Sequence, residues 1–197
     1  MITTIIFDLS EVYLRGLWGT AEKLAPLLKI SSEEIDKGFH IEDLKIFFEG
    51  KISEDEYWKK VIEKNNWKID IGVLKEAVRS NFQEIEGSRE IIEDLKNKGF
   101  KLGLLSVHTR EWIDYCEKKF DFHKLFHSVL YSFDVKICKP DEKAYKMILK
   151  KLNVKPGECL FIDDYVLNLD AAKKIGINVL QFKDSKQLKK DLNLFLN

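Results

Sequence analysis

Thr3-Thr4-Ile5-Ile6-Phe7-Asp8, continuing Leu9-Ser10-Glu11-Val12, sets a short apolar run against a single carboxylate. A run of this length, rich in β-branched residues, predicts a buried strand. It delivers Asp8 at the strand's C-terminal end, where open parallel α/β sheets place their ligands. A carboxylate there is of little use to a core and well placed as a nucleophile or metal ligand. Taken alone, Asp8 is as readily an aspartate that starts a turn, so the remainder of the chain has to decide.

From Gly87 onward helical and strand patterns alternate. Ser88 to Lys98 predicts a helix closed by Gly99, and Lys101 to Leu105 a strand ending in Ser106. Helices follow at 109–119, 141–152, 167–175 and 185–195, with strands at 128–131, 159–162 and 177–182 between them. This alternation predicts an α/β fold, a doubly wound parallel sheet. Its informative polar residues, Asp8, Ser106, Asp163 and Asp164, all fall at strand ends. Residues 14–86 differ. They show no strand, but Ser31-Ser32-Glu33-Glu34 and Ser53-Glu54-Asp55-Glu56 both resemble capping boxes. Apolar residues follow at helical spacing, as in Ile41, Leu44, Phe47 and Phe48, and again in Tyr57, Trp58, Val61 and Ile62; a third helix is predicted over 71–82. This is a small helical bundle inserted after the first strand. Its aromatics, among them Trp18, Phe39, Phe47, Phe48, Trp58 and Trp67, are expected in its core, with one or two free to face a substrate.

Composition narrows the function classes. The chain has 197 residues, 45% hydrophobic and 12% aromatic, enough for one well-cored unit with an insertion. Its 33 basic and 33 acidic residues balance, so no global field draws it to nucleic acid or to an anionic membrane. No apolar run reaches the length of a membrane span, and the first residues lack the pattern of a signal peptide. Cys116, Cys138 and Cys159 are scattered, without metal-like spacing, and read as reduced thiols. A cytoplasmic protein, monomer or homodimer, is expected.

Asp163 and Asp164 facing Asp8 across a crevice repel one another unless a cation neutralises them, and a hard ion such as Mg²⁺ suits that ligand set. Lys139, between a strand and a helix, can bring an ammonium to the same rim. Ser106 offers a hydroxyl and a backbone N–H for a phosphate oxygen. Singly, these are an ordinary surface lysine and helix caps. Together and in this order they point to phosphoryl transfer through an aspartyl-phosphate.

The residues then carry a resemblance. Phe7-Asp8-Leu9-Ser10, Leu104-Leu105-Ser106, Lys139-Pro140 and Phe161-Ile162-Asp163-Asp164-Tyr165-Val166-Leu167-Asn168, with Ala171-Ala172 and Gly176, resemble the four motifs of the haloacid dehalogenase (HAD) superfamily of hydrolases. The layout is similar to the sugar-1-phosphate phosphatase-like branch, with a small helical C1-type cap and a comparable Gly50-Lys51-Ile52-Ser53 stretch. The resemblance implies a HAD-like core over 1–13 and 87–197 and a cap over 14–86. It implies Asp8 as nucleophile, Ser106 and Lys139 on the phosphoryl group, and Mg²⁺ held by Asp8, the Ser10 carbonyl, Asp163 and Asp164, with Asn168 supporting the metal loop. Val107 and Arg15 are expected to contact substrate, a small phosphorylated metabolite.

Two positions depart from the family pattern. The second aspartate, which protonates the leaving oxygen, is replaced by Ser10, and a hydroxyl that titrates far from neutrality cannot relay that proton; the loss should cost on the order of 10²–10⁴ in rate for a poor leaving group. Glu11, one residue on, is the candidate substitute acid, but its side chain is expected to point away along an extended chain. Val107 and His108 follow Ser106 where the family usually has asparagine. His108 is expected at the solvent face of a first helical turn, with a place beside the phosphate as the alternative. A catalytically weak binding or regulatory protein on the same fold, and a metal-independent 2-haloacid dehalogenase, are the competing readings; the intact Asp163-Asp164 pair argues against the dehalogenase.

Overall fold

The computed structural model describes residues 1–40 and 42–196; Ile41, assigned above to a helix face, lies outside the described residues. Strands β1 (Thr4–Phe7), β2 (Lys101–Ser106), β3 (Ser128–Tyr131), β4 (Cys159–Asp163) and β5 (Asn178–Gln181) form one parallel sheet in the order β3-β2-β1-β4-β5. The chain runs outward from β1 to β2 and β3, then returns to place β4 on β1's other side, pairing Phe7 with Ile162. The order therefore reverses at β1 and β4, and a crevice opens beyond their C-terminal ends.

Alternation along each strand splits the core in two. Ile5, Phe7, Leu104 and Ile162 face one side; Ile6, Leu105, Cys159 and Phe161 face the other. The second face is covered by α9 (Glu142–Leu152) and α10 (Val166–Lys174) through Tyr145, Ile148, Leu149, Leu169 and Ala172. The first is covered by α6 (Ser88–Asn97), α7 (Arg110–Phe120) and α11 (Ser185–Leu196), and its apolar cluster continues without a break into the insertion.

That insertion consists of α1 (Thr20–Leu28), α2 (Ser32–Phe39), α3 (Asp43–Phe48), α4 (Glu54–Lys64) and α5 (Ile71–Asn81). Both capping boxes form. Ser31 and Ser53 accept the backbone N–H of Glu34 and Glu56, whose carboxylates reach back to the cap backbone. Phe39, Phe47, Trp58 and Trp67 pack inside, as expected, but Trp18 stays outside. The chain's two crossings run side by side: Arg15 N–H donates to the Gln83 carbonyl at 2.8 Å and Ile85 N–H to the Tyr13 carbonyl at 2.8 Å.

Two helices escape the sequence reading. α1 carries Pro26, which argues against a helix, yet it sits in the last two turns while Ala21 and Leu24 bury the element. α8 (Ser132–Val135) is a single turn after β3, too short to show a period. None of the described helices is long and apolar enough to cross a membrane.

Candidate active site at the sheet's switch point

Asp8 follows the last residue of β1, and its N–H donates to the Ile162 carbonyl at 2.8 Å, so backbone pairing itself brings the nucleophile candidate beside β4. One carboxylate oxygen accepts the Leu9 N–H at 2.7 Å; the other meets Lys139 Nζ at 2.8 Å. The same ammonium donates to Asp163 at 2.6 Å. Lys139 is buried, and burial by itself lowers its pKa, but two carboxylates within contact more than reverse that and hold it above the ordinary value. Burial pushes the Asp8 carboxyl upward, Lys139 opposes that, and Asp163 adds to it.

Asp163 is wholly buried and held by the Tyr165 N–H at 2.8 Å and by Asn168 Nδ2, 3.1 Å from each oxygen. Tyr145 OH in turn donates to the Asn168 carbonyl at 2.9 Å, and Gln181 Nε2 to the Asp164 carbonyl at 3.1 Å. Burial and the adjacent Asp163 raise the Asp164 carboxyl. Oxygens of Asp8, Asp163 and Asp164 lie within 4.8 Å of one another, a donor set that suits a hard divalent cation. Ser106, at the end of β2, is buried with its Oγ unpartnered. A buried hydroxyl without a partner is costly; Ser106 itself does not line the cleft in front of Asp8, although Val107 and His108, which follow it, do.

The cleft in front of these groups measures about 640 Å³ and is walled on the far side by the insertion. Asp8, Ser10, Glu11, Val107, His108, Lys139 and Asp164 all line it. Arg15 does not: it is exposed and borders a separate groove against α6 and α11, because its N–H pairs with Gln83 at the base of the insertion. Glu11 departs from the extended chain expected of it. Its φ is +57°, and Tyr13 and Leu14 turn back to donate to the Leu9 carbonyl at 2.9 Å, which brings Glu11 to the cleft with its carboxylate on the Gly16 N–H at 2.8 Å. Burial raises that carboxyl.

His108 likewise corrects the expectation of a solvent-facing ring. It is 3% exposed, packed edge-on to Trp112 at 5.6 Å, and burial pushes its pKa down to about 4. Nδ1 accepts the Thr109 N–H at 3.1 Å, so the neutral ring carries its proton on Nε2. The His108 N–H donates to Ser132 Oγ at 3.1 Å, and that hydroxyl donates to the Phe48 carbonyl of the insertion at 2.6 Å. Trp18, a sequence candidate for facing substrate, lines the cleft, as do Asp36 and His40, for which the sequence offered no sign.

The aspartate, the lysine and the acidic pair gather at the switch point of a parallel sheet, where open α/β folds bind their ligands. The chain belongs to the haloacid dehalogenase-like hydrolase family, whose sequence profile matches residues 4–182. It is 29% identical over 125 residues to "Flavin mononucleotide hydrolase 1, chloroplatic" of Arabidopsis thaliana, covering 64% of this chain and 51% of that protein. It is 33% identical over 114 residues to the phosphorylated carbohydrates phosphatase of Thermotoga maritima, covering 57% of this chain and 52% of that one. In both cases the match spans about half of the relative's length. D-ribitol-5-phosphate phosphatase of Bacteroides thetaiotaomicron matches over 216 residues at 25% identity, with 100% of each chain covered. Among solved structures, a HAD family enzyme of Bacteroides thetaiotaomicron in complex with magnesium and inorganic phosphate superposes with a TM-score of 0.78 at 19% identity, over 93% of this chain and 96% of that one. L-2-haloacid dehalogenase from Xanthobacter autotrophicus reaches 0.71 at 16% identity, over 98% of this chain and 83% of its own. At such identities the likeness is one of fold.

Proposed function

We propose that the protein is a magnesium-dependent phosphatase of this family, acting on a small phosphomonoester through an aspartyl-phosphate on Asp8. The observation that carries the reading is the unpartnered, buried Ser106 Oγ at the end of the strand beside Asp8. Residues 1–13 and 87–197 form the core and residues 14–86 the cap in this reading, a division supported by the two paired chain crossings. The three-carboxylate cluster favours a phosphatase over a metal-independent dehalogenase, and names of relatives such as the phosphorylated carbohydrates phosphatase agree.

Each residue's work follows from its contacts. Asp8, Asp163, Asp164 and the Ser10 carbonyl would hold the ion, which when bound neutralises the carboxylates and draws charge from a phosphoryl oxygen. Lys139 keeps Asp8 and Asp163 in place and supplies a fixed positive charge where the transferring group accumulates negative charge. Ser106 Oγ donates to a phosphoryl oxygen. Asp8 attacks phosphorus, the ester P–O bond breaks, and the leaving oxygen takes a proton. Water then attacks the phosphorus of the aspartyl-phosphate, releasing inorganic phosphate and the free carboxylate.

Ser10 changes both halves of that cycle. Its hydroxyl can donate a hydrogen bond but cannot act as the acid of the first step or the base of the second, and each role is worth on the order of 10²–10⁴. An aryl ester needs little help from the acid in the first step. The second step then limits, and aspartyl-phosphate accumulates as a burst.

The test is p-nitrophenyl phosphate hydrolysis by wild type, Asp8→Asn and Ser10→Asp, with magnesium and with a chelator. Metal-dependent turnover abolished in Asp8→Asn is expected, with a burst in wild type that Ser10→Asp shortens. A wild type silent toward the aryl ester and a Ser10→Asp variant that turns it over would instead identify a binding or regulatory protein with an intact pocket.

A further inference from the structure

Resting on that reading of the site, we infer that His108 is a catalytic residue whose Nε2–H donates to the oxygen that leaves phosphorus. The first ground is a free donor. Nδ1 accepts the Thr109 N–H, so the ring proton is on Nε2. Among the described residues, the fully enclosed side-chain polar atoms that lack a partner are Thr20 Oγ1, Ser106 Oγ and Thr109 Oγ1. His108 Nε2 has no partner among the described residues either, yet it is not one of these enclosed atoms, so the small accessible part of the ring includes it. The ring lines the cleft that Asp8 also lines, and there Nε2–H is open to a bound ester.

The second ground is rigidity. The ring packs against Trp112 at 5.6 Å and Phe82 at 6.0 Å, and the His108 N–H is held by Ser132 Oγ at 3.1 Å. Burial pushes the ring's pKa down to about 4, so at neutral pH it offers a proton donor without a charge. A donor fixed before charge develops stabilises an oxyanion without reorganisation.

The third ground is placement. Asp8 attacks from the sheet end, so the leaving oxygen departs in line on the opposite side, toward the insertion. The His108 loop stands against that wall. Ser132 Oγ, which holds the His108 N–H, donates to the Phe48 carbonyl of α3, and Phe48 and Trp112 line the cleft beside the ring. As the P–O bond breaks, its electron pair goes to the leaving oxygen, and Nε2–H shares that charge as a hydrogen bond. Water supplies the proton that completes the alcohol. The hydroxide left behind is neutralised by the proton released when water attacks the aspartyl-phosphate, and the ring is neutral throughout.

The test is kcat/KM, which reads the first step, for dinitrophenyl, p-nitrophenyl and phenyl phosphate, whose leaving phenols are progressively less acidic. Wild type is compared with His108→Asn, His108→Gln and Ser10→Ala. Asparagine keeps an acceptor for the Thr109 N–H and withdraws the far donor; glutamine carries an amide N–H toward the position of Nε2. His108→Asn should lose about ten- to a hundredfold on phenyl phosphate and much less on the dinitrophenyl ester, and His108→Gln should recover most of the loss. An equal loss on all three esters, as disturbed packing would give, overturns the inference. So does a leaving-group-dependent loss in Ser10→Ala with none in His108→Asn. Calorimetric binding of orthovanadate with magnesium reads the same contact without turnover, because a five-coordinate adduct on Asp8 puts an oxygen where the leaving group departs. His108→Asn should weaken it by about tenfold or more; absent binding, or an affinity unmoved by the substitution, overturns the inference. A wild type silent toward all three esters sinks the phosphatase reading, and vanadate then decides the role of His108 alone.

Discussion

Glu54 joins the insertion to the rest of the molecule, and its removal should loosen the cleft. Its side chain, 3% exposed, accepts from Arg79 of α5 at 2.9 and 2.6 Å, from Trp112 Nε1 of α7 at 2.7 Å and from Trp58 Nε1 at 3.3 Å. Burial by itself would raise the carboxyl; the Arg79 fork, the Trp112 N–H and Lys75 more than reverse that and leave it below the usual value. Glu54→Gln keeps the shape, removes the charge, and leaves the guanidinium facing a neutral amide. Breaking a buried pair from one side costs about 3–5 kcal/mol. Arg79 is 19% exposed and can recover part of its hydration, so a loss of about 2–3 kcal/mol is expected, or about 4–12 °C in Tm at this chain length. Urea unfolding of Glu54→Gln, Arg79→Met and the double variant measures it, and the double should lose at least about 1 kcal/mol less than the sum of the singles. The sign with pH follows. The folded pKa is depressed, so the contribution is full above the unfolded value of about 4.3 and disappears as pH falls through the folded one. A single-variant loss below about 0.5 kcal/mol, as at an exposed ion pair, or strict additivity would refute the buried-hub account.

His108, buried and neutral, binds a proton more weakly folded than unfolded, so it destabilises the fold as pH falls from about 6.5 toward 4, by up to about 3 kcal/mol. Urea titrations of wild type and His108→Gln at pH 7 and 4.5 should show a shallower acid loss in the variant; equal slopes would place the ring in water. Gly50 has φ +61°, and a Cβ there would stand 2.9 Å from Phe133 Cβ, whereas Gly99 has φ +88° with open space around it. Gly50→Ala should therefore cost about 1–3 kcal/mol beyond the backbone strain of roughly 1 kcal/mol that Gly99→Ala isolates. Denaturation of both variants checks the difference.

Most of the architecture was legible in one dimension because its signals are local. β-branched runs, the Ser31 and Ser53 capping boxes and Gly99 after α6 each act within a few residues, and each element formed where its pattern stood. Pro26 within α1 shows the limit: local propensity spoke against a helix that burial of Ala21 and Leu24 supports. The four motifs were likewise visible, since Asp8, Ser106 and Asp163 sit at strand ends wherever a parallel sheet forms.

Tertiary structure decided what the motif positions touch. The reversal of strand order set Asp8 beside Asp163 and Lys139 between them, a contact between residues far apart in sequence. A tight turn at Leu9 brought Glu11 to the cleft, and the pairing of Arg15 with Gln83 carried Arg15 away from it. His108 became a buried ring because Trp112 and the Ser132–Phe48 link close over its loop. The chain order thus determined which chemistry is present. Long-range packing determined which groups face the substrate and which proton each one holds, because burial and contact, unlike propensity, are properties of the assembled fold.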